Sequence, residues 1–284
     1  MCIRDSYRTV WKGNLVYLLQ QVDDFALACK DETTAKEIYS LIGERLQTDD
    51  EEEPPFNYFG LLEDFNGVDV HQYKDCIQIS CPEYIERIVT SHEWNDKPEF
   101  KTEPTRPTAP LPDNCINVMY ESFVGTKTGG PKENAPEHKK LEKEMGFSYR
   151  TLLGEMMYTY VTYRLDIAYA ITTLSKFSSA PTKLHYQYLK QLLVYLFRTR
   201  HWGIQYHRIC REEQYFEDLE LAPEIQTTPL PKEFEKFPKI DPTVLTCFVD
   251  AAYANDPRKR RSTTGYAIMM ACLLYTSPSP RDRG

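Results

Sequence analysis

The sequence predicts an α+β fold, with short strands early in the chain and helices through its middle. Three observations carry that expectation. Residues 14–28 read as strand, tight turn, strand, with the acidic pair Asp23-Asp24 interrupting two apolar runs. The β-type runs Phe56–Leu62, Val68–His71 and Cys76–Ser80 are separated by the turn-forming pairs Asn66-Gly67 and Lys74-Asp75. From 137 to 200 the apolar residues recur at the helical period instead.

Taken in order, the elements follow from local chemistry. After the hairpin, Ala35, Ile38, Leu41, Ile42 and Leu46 predict a helix from Thr33 to Leu46, with Thr33 or Thr34 as its N-cap. The acidic run Asp49–Glu53 before Pro54-Pro55 predicts a solvated loop. Pro82 suits a first helical turn, so a helix is expected through Val89. Residues 94–136 are rich in proline, threonine, aspartate and glycine and predict a linker, either a long connection or a partly ordered wrap. Three stripes then follow: Leu152, Leu153, Met156, Met157 and Tyr160; Ile167, Ala170, Ile171, Leu174 and Phe177; Leu189, Leu192, Leu193 and Leu196, opened by Pro181-Thr182. A polar second linker covers 208–242. Val244–Val249 predicts a strand ending at Asp250, and Thr264–Ala271 a second one after the basic run Arg258, Lys259, Arg260 and Arg261.

Composition bounds the functions available. Hydrophobic residues make up 41% of the 284, enough for a buried core, and no apolar run reaches the length that crosses a bilayer. The net charge of −8 argues against a surface that coats phosphates indiscriminately, while leaving room for a local basic groove. The 20 tyrosines could stack on bases, but core packing is the simpler use of them. Cys29, Cys76, Cys81, Cys115, Cys210 and Cys247 are spaced too irregularly for a disulfide framework or a zinc knuckle.

The Val22-Asp23-Asp24 turn is the most informative triplet. Adjacent carboxylates raise each other's pKa unless a cation neutralises them. Nucleotidyl transfer uses such pairs to hold divalent ions that clamp the attacking and leaving oxygens. An Asp-Asp turn in isolation is ordinarily just a turn. The basic run Arg258–Arg261 has two readings, a solvated turn or a phosphate contact.

The ends of the chain carry a separate signal. Met1-Cys2-Ile3-Arg4-Asp5-Ser6 can be encoded by ATG TGT ATA AGA GAC AG and one more base; the reverse complement of that string encodes Cys272-Leu273-Leu274-Tyr275-Thr276 and opens Ser277. The string resembles the end sequence of transposase-made sequencing libraries. Residues 1–6 and 272–284 are therefore expected to be adapter-derived and to pack against nothing.

Several separate blocks together resemble copia-type retrotransposon Pol polyproteins. Leu15-Val16-Tyr17 to Val22-Asp23-Asp24-Phe25 is similar to the palm's Val-Asp-Asp hairpin, with Gln21 where the family has an aromatic. Phe59-Gly60-Leu61 with Val68-Asp69-Val70-His71-Gln72 resembles the strands that grip the primer end. Tyr149-Arg150 to Gly154 and Tyr158 matches the family's Tyr-Arg-x-x-x-Gly-x-x-x-Tyr helix. Arg164-Leu165-Asp166-Ile167 resembles its Arg-Pro-Asp-Ile block, with Leu165 replacing proline. Phe177, Pro181 and His185 keep the spacing of the next helix. Val249-Asp250-Ala251-Ala252-Tyr253 through Arg261-Ser262-Thr263-Thr264-Gly265-Tyr266 looks like the opening of a ribonuclease H domain, although an acid is expected at Ala252.

That resemblance implies a division of the chain: part of a reverse transcriptase palm and thumb at 7–93, the linker 94–136, a helical connection at 137–207, the linker 208–242, and the start of a ribonuclease H-like fold at 243–271. It implies Asp23, Asp24 and Asp250 as catalytic carboxylates and ligands of Mg²⁺ (or Mn²⁺). Gln72 and the run Arg258, Lys259, Arg260, Arg261 become nucleic-acid contacts. The implied partners are an RNA template, a DNA primer, the RNA–DNA hybrid and the rest of the Gag-Pol polyprotein (protease, integrase, Gag), with no membrane. The implied setting is a cytoplasmic virus-like particle, or the nucleus. A third palm aspartate is expected upstream of the hairpin, so the piece itself is expected to be inactive. The rival expectation is a degenerate remnant that at most binds nucleic acid.

Overall fold

A computed structural model describes residues 4–22, 24–46, 57–74, 76–101, 109–112, 115–124, 130–131, 135–207, 225, 246–252, 262–270 and 273–276. Mixed helix and strand bear out the α+β expectation. The chain divides into two compact units, one of Met1–Ile79 with Gln205–Val244 and one of Ser80–Ile204 with Leu245–Gly284.

The first unit holds two sheets and a helix. Strands β1 (Arg4–Trp11), β2 (Asn14–Gln21) and β3 (Asp24–Ala28) pair in that order. Lys12 and Gly13, at φ 47° and 85°, supply the two left-handed residues of a tight hairpin turn between β1 and β2. Along β2, Val16 is buried while Leu15 and Tyr17 are exposed, the period of a sheet covered on one face. Helix α1 (Glu32–Leu46) is tied to that sheet. Lys12 Nζ lies 2.8 Å from Glu37, and the Tyr39 hydroxyl donates to the Phe25 carbonyl at 3.2 Å. The helix starts one residue earlier than expected. Its cap is Asp31, whose Oδ1 accepts the Thr34 amide at 2.7 Å, and that bond holds the Asp31 carboxyl below the usual range.

Strands β4 (Asp64–Phe65), β5 (Val68–Gln72), β6 (Cys76–Ser80) and β7 (Ile204–His207) form the second sheet in that order. The expected strand at Phe56–Leu62 is not one over its described residues. Gly60 at φ 84° turns the chain out of extended geometry and leaves Phe59 91% exposed.

The second unit has a helical core. It is built from α2 (Pro82–Ser91), α3 (Pro98–Lys101), α4 (Cys115–Val124), α5 (Pro136–Met145), α6 (Tyr149–Thr162), α7 (Ala168–Ser175) and α8 (Lys183–Arg198). All the others pack on α8, whose Leu189, Leu192, Leu193 and Leu196 are fully buried, as the third stripe predicts. The first stripe needs correction at Met157, which is exposed because its neighbour Met156 already faces the core. The segment 94–136, read as a linker, contributes α3 and α4, and its Phe100, Leu111, Met119 and Tyr120 join the core. Tyr149 and Tyr163 are core residues with satisfied hydroxyls: Tyr149 donates to the Leu174 carbonyl at 2.9 Å and Tyr163 to that of Cys81 at 3.0 Å.

The Arg164-Leu165-Asp166-Ile167 block is a staple for the end of α8. It opens a 3₁₀ turn, Leu165–Ile167, and Arg164 is only 1% exposed. Its Nε and Nη2 donate to the two Asp166 oxygens at 2.9 and 2.8 Å, and its Nη1 reaches the Thr199 carbonyl at 2.9 Å. The fork therefore satisfies a carbonyl just past the helix end.

At the other end of α8, the Thr182 amide donates to His185 Nδ1 at 2.9 Å. The buried imidazole stacks on Phe177, centroids 4.0 Å apart. Burial pushes its pKa down to about 4, against a smaller upward pull from the Met119 carbonyl. A histidine whose folded pKa lies below the unfolded value of about 6.5 stabilises the fold above that value, and the benefit drains away as pH falls towards 4. Between pH 7 and 4.5 the unit should lose about 2 kcal/mol from this group. Urea unfolding of His185→Gln should show that slope flattened; an unchanged slope would place the titration elsewhere.

Strands β8 (Thr246–Ala252), β9 (Thr263–Met270) and β10 (Leu273–Thr276) form a third antiparallel sheet, ordered β10–β9–β8. Both chain ends thus depart from expectation. Arg4, Asp5 and Ser6 pair with Gln21, Gln20 and Leu19, while Leu273–Thr276 pair with Met270–Ala267. Ladder bonds are made by backbone, so any extendable segment beside a strand edge can join it, whatever its origin. Among the described residues no helix is long and apolar enough to cross a membrane. Among the described residues Cys29, Cys76, Cys81, Cys115 and Cys247 form no disulfide.

Candidate active site

The hairpin of β2 and β3 is closed by the pair Gln21–Asp24, separated by two residues of sequence, and Val22 is the first residue past β2. Two-residue hairpins follow the sheet twist only when the first loop residue is left-handed, and Val22 has φ 58°. For a β-branched residue this backbone is strained, at a cost of about 1–3 kcal/mol. A strained tip that persists is held by its surroundings, here the ladder of β2 with β3 and α1 behind it.

Asp24 heads β3 with its side chain exposed. Asp23 lies outside the described residues. The second hairpin of this unit comes close to the tip: the Gln21 side-chain amide donates to Asn66 Oδ1. Asn66 and Gly67, at φ 56° and 75°, form the tight turn between Phe65 and Val68. Gln20 also reaches over the loop to the Val22 carbonyl, at 3.4 Å.

Gln72 ends β5, half-buried, and its amide donates to the Leu62 carbonyl at 3.2 Å. That bond ties the Phe59-Gly60-Leu61 segment to the strand. Asp250 lies on β8 opposite Gly265, and β8 continues past it to Ala252 rather than ending there. Arg258, Lys259, Arg260 and Arg261 lie outside the described residues. Asp24 is thus linked, through its ladder partner Gln21 and the Gln21–Asn66 bond, to the turn before Gln72's strand. Asn66 was legible only as a turn former; nothing in an Asn-Gly pair signals the side-chain bond it accepts.

Mg²⁺ or Mn²⁺ seeks several hard oxygen ligands, and among the described residues, which leave out Asp23, no group of three acidic, histidine or cysteine side chains could hold a metal.

No family model matches the sequence, and no solved structure matches it. It is 29% identical over 192 residues, 67% of its length, to the "Retrovirus-related Pol polyprotein from transposon RE1" of Arabidopsis thaliana. The RE2 polyprotein of the same plant is 24% identical over 192 residues. A 135-residue stretch, 47% of the chain, is 28% identical to "Secreted RxLR effector protein 161" of Plasmopara viticola, covering 73% of that protein. The match spans 11% of each of the two polyproteins. Distant homologues of the chain are thus retrotransposon Pol polyproteins, which supports a retroelement Pol origin.

Proposed function

We propose that the chain is the part of an RNA-directed DNA polymerase that carries its Val-Asp-Asp hairpin, followed by a helical connection and the opening of a ribonuclease H domain, from a copia-type retrotransposon. The observation that carries this reading is the two-residue β2–β3 hairpin, which exposes Asp24 at its tip. In the parent enzyme Asp23 and Asp24 would hold divalent ions at the primer end, and Asp250 would serve the hydrolysis of the RNA strand. When bound, such ions would supply charge neutralisation of the transferred phosphate and a lowered pKa for the attacking hydroxyl. The partners are an RNA template, a DNA primer, their hybrid, and the protease, integrase and Gag portions of the same polyprotein, in a cytoplasmic particle. The alternative, a remnant without catalysis, draws its support from Ala252 and Leu165, which depart from the family pattern.

Primer extension on an RNA template tests this. The 284-residue chain should extend nothing, since Asp23 and Asp24 are only two of the three palm carboxylates that this reading requires. Joined to the Pol segment that precedes the hairpin, it should extend the primer. A joined protein that is folded but silent favours the remnant, and extension by the chain alone overturns the incomplete site.

A further inference from the structure

Two hairpin tips meet in the first unit, and the bond between them is made by side chains that neither turn requires. The Asn66-Gly67 turn is accounted for by its two left-handed residues, and any residue with extended backbone could close β2 opposite Asp24. Yet Gln21 donates its amide to Asn66 Oδ1 across 45 residues of sequence. The donor sits directly across the ladder from Asp24, and the acceptor sits at the head of the hairpin whose second strand ends at Gln72.

We propose that Gln21 and Asn66 are positioning residues, a clasp that makes the Asp24 tip and the β4–β5 tip move as one body. Its catalytic consequence rests on the polymerase reading above. The physical case is one of leverage. A side-chain hydrogen bond near solvent is worth about 1 kcal/mol, too little to hold a fold but enough to select one orientation of two short hairpins. The Val22 backbone is strained, so a tip released from its neighbour has a direction in which to relax. Misplacing a carboxylate by an ångström at a phosphoryl-transfer site costs far more in rate than in stability.

Asn66 allows a clean separation of turn from clasp. Asn66→Gly keeps a Gly-Gly turn and removes the acceptor, whereas Asn66→Asp keeps an Asp-Gly turn and the acceptor. In the full chain, Asn66→Gly and Gln21→Leu should each speed amide hydrogen exchange at Asp24 and Val68 about fivefold, and Asn66→Asp should leave both near the parent rate. Unchanged exchange at Asp24 in Asn66→Gly overturns the clasp. In the chain joined to its preceding Pol segment, Asn66→Gly should lower kcat about tenfold with the nucleotide KM held, and Asn66→Asp should restore it. Equal kcat in both variants overturns the positioning role while leaving the polymerase reading standing. If the unsubstituted joined protein extends nothing, the polymerase reading falls instead, and the exchange rates alone decide the clasp.

Discussion

Asp166→Ala should destabilise the helical unit by about 3–5 kcal/mol, the cost of stranding a buried charge. Arg164 is 1% exposed, and its guanidinium is matched by both Asp166 oxygens, with the Thr199 hydroxyl and carbonyl taking further protons. Tyr195 donates to the same carboxylate at 2.8 Å. Burial would raise the Asp166 carboxyl, but the bonds from Arg164 and Tyr195 outweigh it and hold it below its usual range. A depressed carboxyl stabilises the fold at neutral pH and stops doing so as pH falls through its folded value, below the window of His185. The partner substitution should behave differently. Arg164→Met leaves Asp166 with 35% of its side chain in solvent, where water can take over, so its cost should be smaller. Denaturant unfolding of the two single variants and the double checks the ordering. Equal losses would mean that packing, not the stranded charge, sets the cost.

On the polymerase reading proposed above, Asp24→Ala in the joined protein should lower primer extension on the order of 1000-fold, because losing that carboxylate would displace the ions proposed to stabilise the transferred phosphoryl group. Asp23→Ala should do the same. Asp24 is exposed and heads β3, so its removal should leave thermal unfolding of the chain nearly unchanged. That contrast separates a ligand from a structural residue. Extension that survives Asp24→Ala would remove this carboxylate from the metal site.

The hairpin at 14–28 was legible because its two strands are apolar and its turn is acidic; the sheet period and the tight loop leave few other solutions. The three helical stripes were legible for the same reason, with the exception of Met157. Segment 94–136 was misread because its prolines and threonines hide isolated anchors such as Phe100 and Met119, which are spaced too far apart to show a period. The Phe56–Leu62 run looked like a strand because aromatics favour strands; over its described residues the single Gly60 decided otherwise. The Arg164–Asp166 pair could be seen as a motif, but its role could not. Its partner Thr199 is 35 residues away, a distance over which sequence carries no pairing signal. The Gln21–Asn66 bond was hidden in the same way.

The hairpin sheets have one further consequence. Among the described residues, the sheet of β1, β2 and β3 is flanked by β1 and β3, and that of β8, β9 and β10 by β8 and β10, and neither closes on itself. An open edge is a template for another strand, and it does not discriminate between strands of its own molecule and those of a neighbour. Within a longer Pol chain, following or preceding segments can occupy such edges. At raised concentration, a second copy can occupy them as well, and the chain's net charge of −8 is then the main force keeping copies apart. Salt screens that repulsion over about 10 Å at 0.1 M, so self-association should grow with ionic strength as well as with concentration.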